Sequence, residues 1–238
     1  VIRAMSLSQL RLQIRAKACP ERAIVSQGFF KTGPGQYGEG DQFLGLTVPQ
    51  IRAFAVTTDA LPEADVLTLL HSEWHEERLL ALLVLVRRFE KARKDEKLRA
   101  HIVDLYLKNT RWINNWDLVD TSAPQILGTW LLTHDRSVLT RLASSKNLWE
   151  QRISVLATQA FIRAGDFNDT LRLCEHFLSH PHDLMHKACG WMLREAGKRE
   201  PTVLRAFLDR HSALMPRTML RYAIEKLSET ERRRYLAK

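Results

Sequence analysis

The chain is 238 residues long, with 45% hydrophobic and 26% charged residues, proportions that exclude general disorder and suit a globular protein. Thirty-six Lys and Arg against 27 Asp and Glu leave a formal charge of +9, which favours a polyanionic partner such as nucleic acid, although a solvated basic surface has the same signature. The densest apolar run, Leu79 to Val86, is far short of the ~20 residues of a bilayer span, and Arg87 and Arg88 follow it, so no membrane partner is expected.

From Val1 to Ala18, Arg3, Arg11, Arg15 and Lys17 are scattered among apolar residues, a pattern expected of an amphipathic helix and not of a secretory leader. The chain opens on Val1 with Met5 close behind. Cys19, Cys174 and Cys189 are widely separated and form no C-x-x-C pair, so no disulfide framework is expected and a reducing cytoplasm is the expected setting. Residues 31–41 hold four of the ten glycines, and Gly33-Pro34-Gly35-Gln36-Tyr37-Gly38 is literally G-x-G-x-x-G. No strand precedes it and Pro34 lies inside it, so it reads as a surface loop after the N-terminal helices rather than a dinucleotide fingerprint.

Beyond the loop the pattern is helix after helix. Thr47 with Pro49 in the first turn opens a helix through Phe54. Helical periods then predict Trp74–Lys91, Asp95–Lys108, Trp116–Leu132, Asn147–Arg163, Asp166–Leu178, Asp183–Lys198, Pro201–Leu208 and Pro216–Leu227, with breaks at Gly165-Asp166, His180-Pro181 and Glu200-Pro201. Helix pairs start near Leu61, Asp95, Arg136, Asp166 and Pro201, a period of roughly 35 residues typical of helical repeats. The expected architecture is all-α: one domain over residues 1–238, a degenerate HEAT-like solenoid with a concave basic groove.

Four residues stand out against that repeat. Trp116 and Asp120 are four apart and share a helix face. Arg152 lies 36 residues beyond Trp116, and Trp191 a further 39, each close to one repeat, so all four are placed to line one groove. Spacing alone also allows a plainer reading, and favours it: buried tryptophans and a simple Asp–Arg bridge between repeats.

Several motifs carry a resemblance. Asn115-Trp116-Asp117-Leu118-Val119-Asp120 with Pro124 and Gly128 resembles the W-D-x-V-D segment of the AlkD family of DNA alkylation-repair glycosylases. Leu148-Trp149-Glu150-Gln151-Arg152-Ile153 resembles that family's W-x-x-R helix, and Lys187 to Glu195 its K-A-x-G-W-x-L-R-E helix. Phe43-Leu44-Gly45-Leu46 with Pro49 and Arg52 is similar to its F-L-G-x-x-x-P-x-x-R entry. The likeness runs from about Phe29 to Leu227 and departs from the family where a tyrosine of the N-terminal helices is replaced by Phe29 or Phe30.

The resemblance implies hydrolysis of the N-glycosidic bond of N3- and N7-alkylated purines in double-stranded DNA, by a monomer without cofactor. It also implies a catalytic cluster of Trp116, Asp120, Arg152 and Trp191. An alkylated purine is cationic and leaves readily, so the need is for negative charge near the sugar, which Asp120 supplies, and for aromatic faces toward the cation. Arg152, Lys187, Arg194, Lys198, Arg217 and Arg221 are the expected DNA-binding cations. His71 and His75, His176 and His180, and His182 and His186 are each four apart, but His71-Ser72-Glu73-Trp74-His75 is not H-E-x-x-H and offers no third ligand, so no metal is expected. Lys146, just before the Trp149 helix, is readable as a lyase nucleophile, but nothing places it near a sugar, so monofunctional hydrolysis is expected. The competing readings are a DNA-binding repeat module without activity and a protein-binding solenoid.

Overall fold

A computed structural model describes residues 5–237. Among them every regular element is helical, and extended backbone pairs only in an isolated bridge between Gln42 and Trp74. The chain divides into two compact units, the first ending at Ser122 and the second beginning at Ala123.

The first unit contains α1 (Leu7–Arg15), α2 (Pro20–Phe29), α3 (Val48–Thr57), α4 (Glu63–Leu70), α5 (His75–Lys91), α6 (Glu96–Lys108), a 3-10 turn (Thr110–Trp112) and α7 (Trp116–Ser122). Local chemistry starts these helices. Ser6 and Gln9 form a capping box at α1, the Gln50 side chain reaches back to the Thr47 N–H at 2.8 Å before α3, and the Asp95 carboxylate accepts from Leu98 N–H before α6. Packing then organises them around α5, against which α3, α4, α6 and α7 lie. That helix buries Leu79, Leu80, Leu82, Val84, Leu85 and Phe89, and also Glu76, Glu77 and Arg78.

Buried charges persist only when paired. The Glu76 carboxylate accepts backbone N–H bonds from Leu44, Gly45 and Leu46, and Glu77 pairs with Arg11 at 2.8 Å and Arg15 at 3.3 Å. Gly45 has φ +80°, and a Cβ there would sit 2.1 Å from the Cys19 carbonyl oxygen, so this turn around Glu76 accepts no side chain.

The second unit opens with a π-helical turn (Pro124–Gly128) and continues with α8 (Ser137–Ala143), α9 (Leu148–Ala157), α10 (Gln159–Ala164), α11 (Asn168–His176), α12 (Asp183–Arg199), α13 (Pro201–His211), α14 (Arg217–Ile224) and α15 (Glu229–Leu236). Its hub is α12, which touches α9, α10, α11, α13 and α14. A Cβ on Gly190 would lie 2.5 Å from both the Met219 carbonyl oxygen and the Tyr222 Cβ, so α12 and α14 approach closely only because this residue is glycine.

The repeat starts read from the sequence correspond to α4, α6, α8, α11 and α13, and α4 packs on α5, α8 on α9 and α11 on α12. The chain is therefore an all-helical repeat fold. Two expected helices are interrupted inside their patterns, and Asp166–Leu178 and Pro216–Leu227 are trimmed to α11 and α14. Trp116–Leu132 breaks after Ser122, because Pro124 has no N–H to give and Gly128 N–H reaches five residues back to the Ala123 carbonyl at 2.9 Å. Asn147–Arg163 is interrupted at Thr158, whose N–H and hydroxyl both turn to the Val155 carbonyl, three residues back. The first amphipathic segment reduces to α1, and Val1 lies outside the described residues. α15 had no apolar period to read, since it is highly charged and buries Tyr235 alone.

Candidate functional site

In the first unit, Trp116 and Asp120 are one turn apart on α7, and both are half-buried. The Asn115 side-chain carbonyl accepts from Trp116 N–H and the Asp117 carboxylate from Leu118 N–H, both at 2.9 Å, which satisfies two otherwise unpaired donors of the first turn. The Trp116 indole stacks on Phe30 with ring centroids 5.2 Å apart and planes inclined by 17°, and Phe29 meets it edge-on at 5.8 Å. Both phenylalanines thus contact Trp116, although Phe29 remains 61% exposed. Behind Asp120, Tyr106 is fully buried and hydrogen-bonded to the Ser122 hydroxyl at 3.1 Å; burial first, and the Asp120 charge with it, push its phenol above the ordinary value.

The stack continues inward. Phe30 also stacks on Phe43 at 5.0 Å, and Phe43 on the His75 imidazole at 4.5 Å. His75 Nδ1 lies 2.7 Å from Asp41 and Nε2 2.8 Å from Asp117. Asp41 is also paired with Arg78, whose other amino group donates to the Ser72 carbonyl at 2.8 Å. Asp41 is the last residue of the glycine-rich segment. That segment is held by its own bonds, Gly38 N–H to the Lys31 carbonyl at 3.0 Å and Asp41 N–H to the Gly38 carbonyl at 3.1 Å.

In the second unit, Arg152 on α9 is 4% exposed and donates from Nη1 to the Leu184 carbonyl in the first turn of α12 at 2.6 Å. Trp191 is half-buried two turns further along α12. Trp149, from the same motif as Arg152, is 7% exposed and belongs to the core. A chain of histidines fixes the α12 start: His182 Nδ1 accepts from Leu184 N–H, His180 Nδ1 accepts from His182 N–H, both at 3.1 Å, and His180 Nε2 meets the Gln151 side chain at 2.9 Å. Burial lowers the pKa of both rings, and nearby His186 adds to this, as do Arg152 and Lys187 at His182.

The structure therefore brings Trp116 and Asp120 together on α7, and sets Arg152 and Trp191 on packed neighbours, α9 and α12. The cations expected to meet DNA also lie in the second unit. Lys187 pairs with Asp183 at 2.7 Å, Lys198 with Glu195 at 2.9 Å, and Arg194 with Glu225. The two lysine pairs are open to solvent, and such pairs are weak and exchange readily for phosphate, whereas Arg194 is half-buried. Arg217 is exposed and donates to the Leu236 carbonyl at 3.1 Å, and Arg221 is exposed on the same helix.

Sequence reasoning missed the Asp41–His75–Asp117 alignment. It considered His75 only as a metal ligand, whereas the ring lies between two aspartates distant in sequence. Among the described residues no three His, Cys, Asp or Glu side chains converge as a metal-binding group, and no helix is long and apolar enough to cross a membrane.

The fold and these elements define a helical-repeat protein. A solved structure from Enterococcus faecalis, described as a predicted DNA alkylation repair enzyme, shares that fold with a TM-score of 0.68, covering 89% of this chain and 97% of its own at 15% identity. The family is given by the sequence: the model of the DNA alkylation repair enzymes matches residues 10–227, and the chain belongs to that family. No curated protein sequence matches it.

Proposed function

We propose that this DNA alkylation repair enzyme is a monofunctional glycosylase that hydrolyses the N-glycosidic bond of N3- and N7-alkylated purines in duplex DNA. The observation that carries the reading is the pairing on α7 of a half-buried carboxylate, Asp120, with a half-buried indole, Trp116, that stacks on Phe30. Alkylation at N3 or N7 makes the base a cationic leaving group, so departure needs little protonation. Positive charge then grows on the deoxyribose. Asp120 stabilises that charge electrostatically and orients the attacking water. The faces of Trp116 and Trp191 attract the cationic nucleotide, each contact contributing about 0.5–2 kcal/mol. Arg152 holds a backbone phosphate, assisted by Lys187, Arg194, Lys198, Arg217 and Arg221, contacts that position the duplex without reading its sequence. One copy of the chain acts without a cofactor.

The test is a single-turnover incubation of the purified chain with duplex containing one N7-methylguanine. Release of free 7-methylguanine, leaving an uncleaved abasic strand, is the expected result. Tight binding of the same duplex with every cationic purine retained would replace the glycosylase with a binding module.

A further inference from the structure

Under Trp116 lies an ionic cluster for which base hydrolysis has no direct use. His75 is 2% exposed and is the first residue of α5. Its two ring nitrogens face two carboxylates, Asp41 at 2.7 Å and Asp117 at 2.8 Å. Carboxylates accept hydrogen bonds, so both nitrogens must donate, and only the imidazolium has two N–H groups. The charged groups facing the ring are Asp41 from the glycine-rich segment, Asp117 from α7 and, through Asp41, Arg78 from α5 itself. Two negative and two positive charges close the cluster without excess. Phe43 and Phe30 cover the ring at 4.5 and 4.9 Å.

We propose that His75, as an imidazolium, is the positioning residue for Trp116: it clamps the first turn of α7 to the end of the glycine-rich segment and backs the Phe30–Trp116 stack. The inference rests on the reading that Trp116 faces the lesion. Three segments distant in sequence meet at this one proton. Without it, one carboxylate faces a lone pair in a largely buried site, and the turn that carries Trp116 is expected to move away. Burial works against the charged ring, but Asp117 above all, with Asp41, holds its pKa up to about 9.

The experiment uses the full chain labelled for histidine and tryptophan resonances, with the Trp116 indole N–H assigned by Trp116→Phe. In wild type, the Trp116 indole and the His75 ring are expected to titrate together near pH 9. Asp117→Asn removes the largest favourable charge and should move both midpoints down by a unit or more. His75→Gln should abolish the Trp116 titration, and if that variant does not fold, Asp117→Asn alone decides. A Trp116 resonance that stays still while His75 titrates, or that titrates unchanged in His75→Gln, overturns the proposal. The high-pH limb of single-turnover base release should follow the same midpoint in wild type and Asp117→Asn, and a limb that does not move refutes the coupling to activity. A wild type that releases no base at any pH, with the resonance coupling intact, removes the glycosylase reading and leaves the positioning role standing.

Discussion

The two units are each organised around a 17-residue helix with a histidine at its start, and the two histidines have opposite fates. His75, the first residue of α5, lies between Asp41 and Asp117 and is held charged, with a pKa of about 9. His182, which caps α12, is held neutral by burial, with His186, Arg152 and Lys187 adding to the effect. Both occupy a helix N-terminus, where the backbone dipole disfavours a cation. Local position therefore does not set the charge. What sets it at His75 is the pair of carboxylates brought in from other segments, whereas at His182 burial dominates and no such pair is supplied. The contrast extends to the residues proposed for base release: the carboxylate, Asp120, belongs to the first unit, and the cations proposed for phosphate belong to the second.

The largest expected effect tests that division of labour. Asp120→Asn keeps size and hydrogen bonding but removes the negative charge, and it should slow base release by about 10²–10³-fold. Duplex affinity should stay the same or rise slightly, because a charge repelling phosphate has gone. Single-turnover rates measured beside a binding titration decide the matter; equal rates for variant and wild type would remove Asp120 from the chemistry.

Next in size is an opposed response to pH. His75 is raised from 6.5 in the unfolded chain to about 9 when folded. Its stabilisation is complete below pH 6.5 and is lost as pH rises through 9, a change of about 3 kcal/mol. His180 and His182 are shifted down, so their contribution is present above their ordinary pKa and fades as pH falls through the folded values. Denaturant unfolding across pH 5 to 10 should show loss of stability at both ends. His75→Gln should flatten the alkaline side only, and a variant that retained the alkaline loss would locate its cause elsewhere.

A smaller effect concerns the cap itself. His182→Ala leaves Leu184 N–H without its acceptor and should cost about 1 kcal/mol, whereas His182→Asn, which restores a capping acceptor, should recover most of it. Equal losses in urea melts of the two variants would mean that the ring contributes by packing and not by capping. Smallest of all, Arg221→Ala should lower by about 1 the slope of log affinity against log salt for undamaged duplex, with no change in folding stability. An unaltered slope would place Arg221 outside the DNA footprint.

Much of the fold was legible because a helix advertises itself locally. The periods of Trp74–Lys91 and Asp183–Lys198 reappear nearly unchanged as α5 and α12, and the start of α3 follows from Thr47 and Pro49. Legibility failed where a missing N–H or a bond inside the turn overrode the period, as at Pro124 and Thr158. The α7 pair was half legible: four-residue spacing put Trp116 and Asp120 on one face, but nothing local revealed that Phe29 and Phe30 would both hold the indole.

By itself the sequence determined the helical succession, its repeat of roughly 35 residues, the basic balance and the motif residues, because each depends on neighbours a few positions apart or on composition. Tertiary structure alone decided that Gly45 and Gly190 are sites of close approach and that Glu76 and Glu77 can be buried on α5. It also decided that one helix-start histidine is charged and the other neutral. These outcomes rest on partners many residues away, 34 and 42 positions from His75 to its two aspartates. In a low-dielectric interior, the charge a side chain carries is set by what folding places against it.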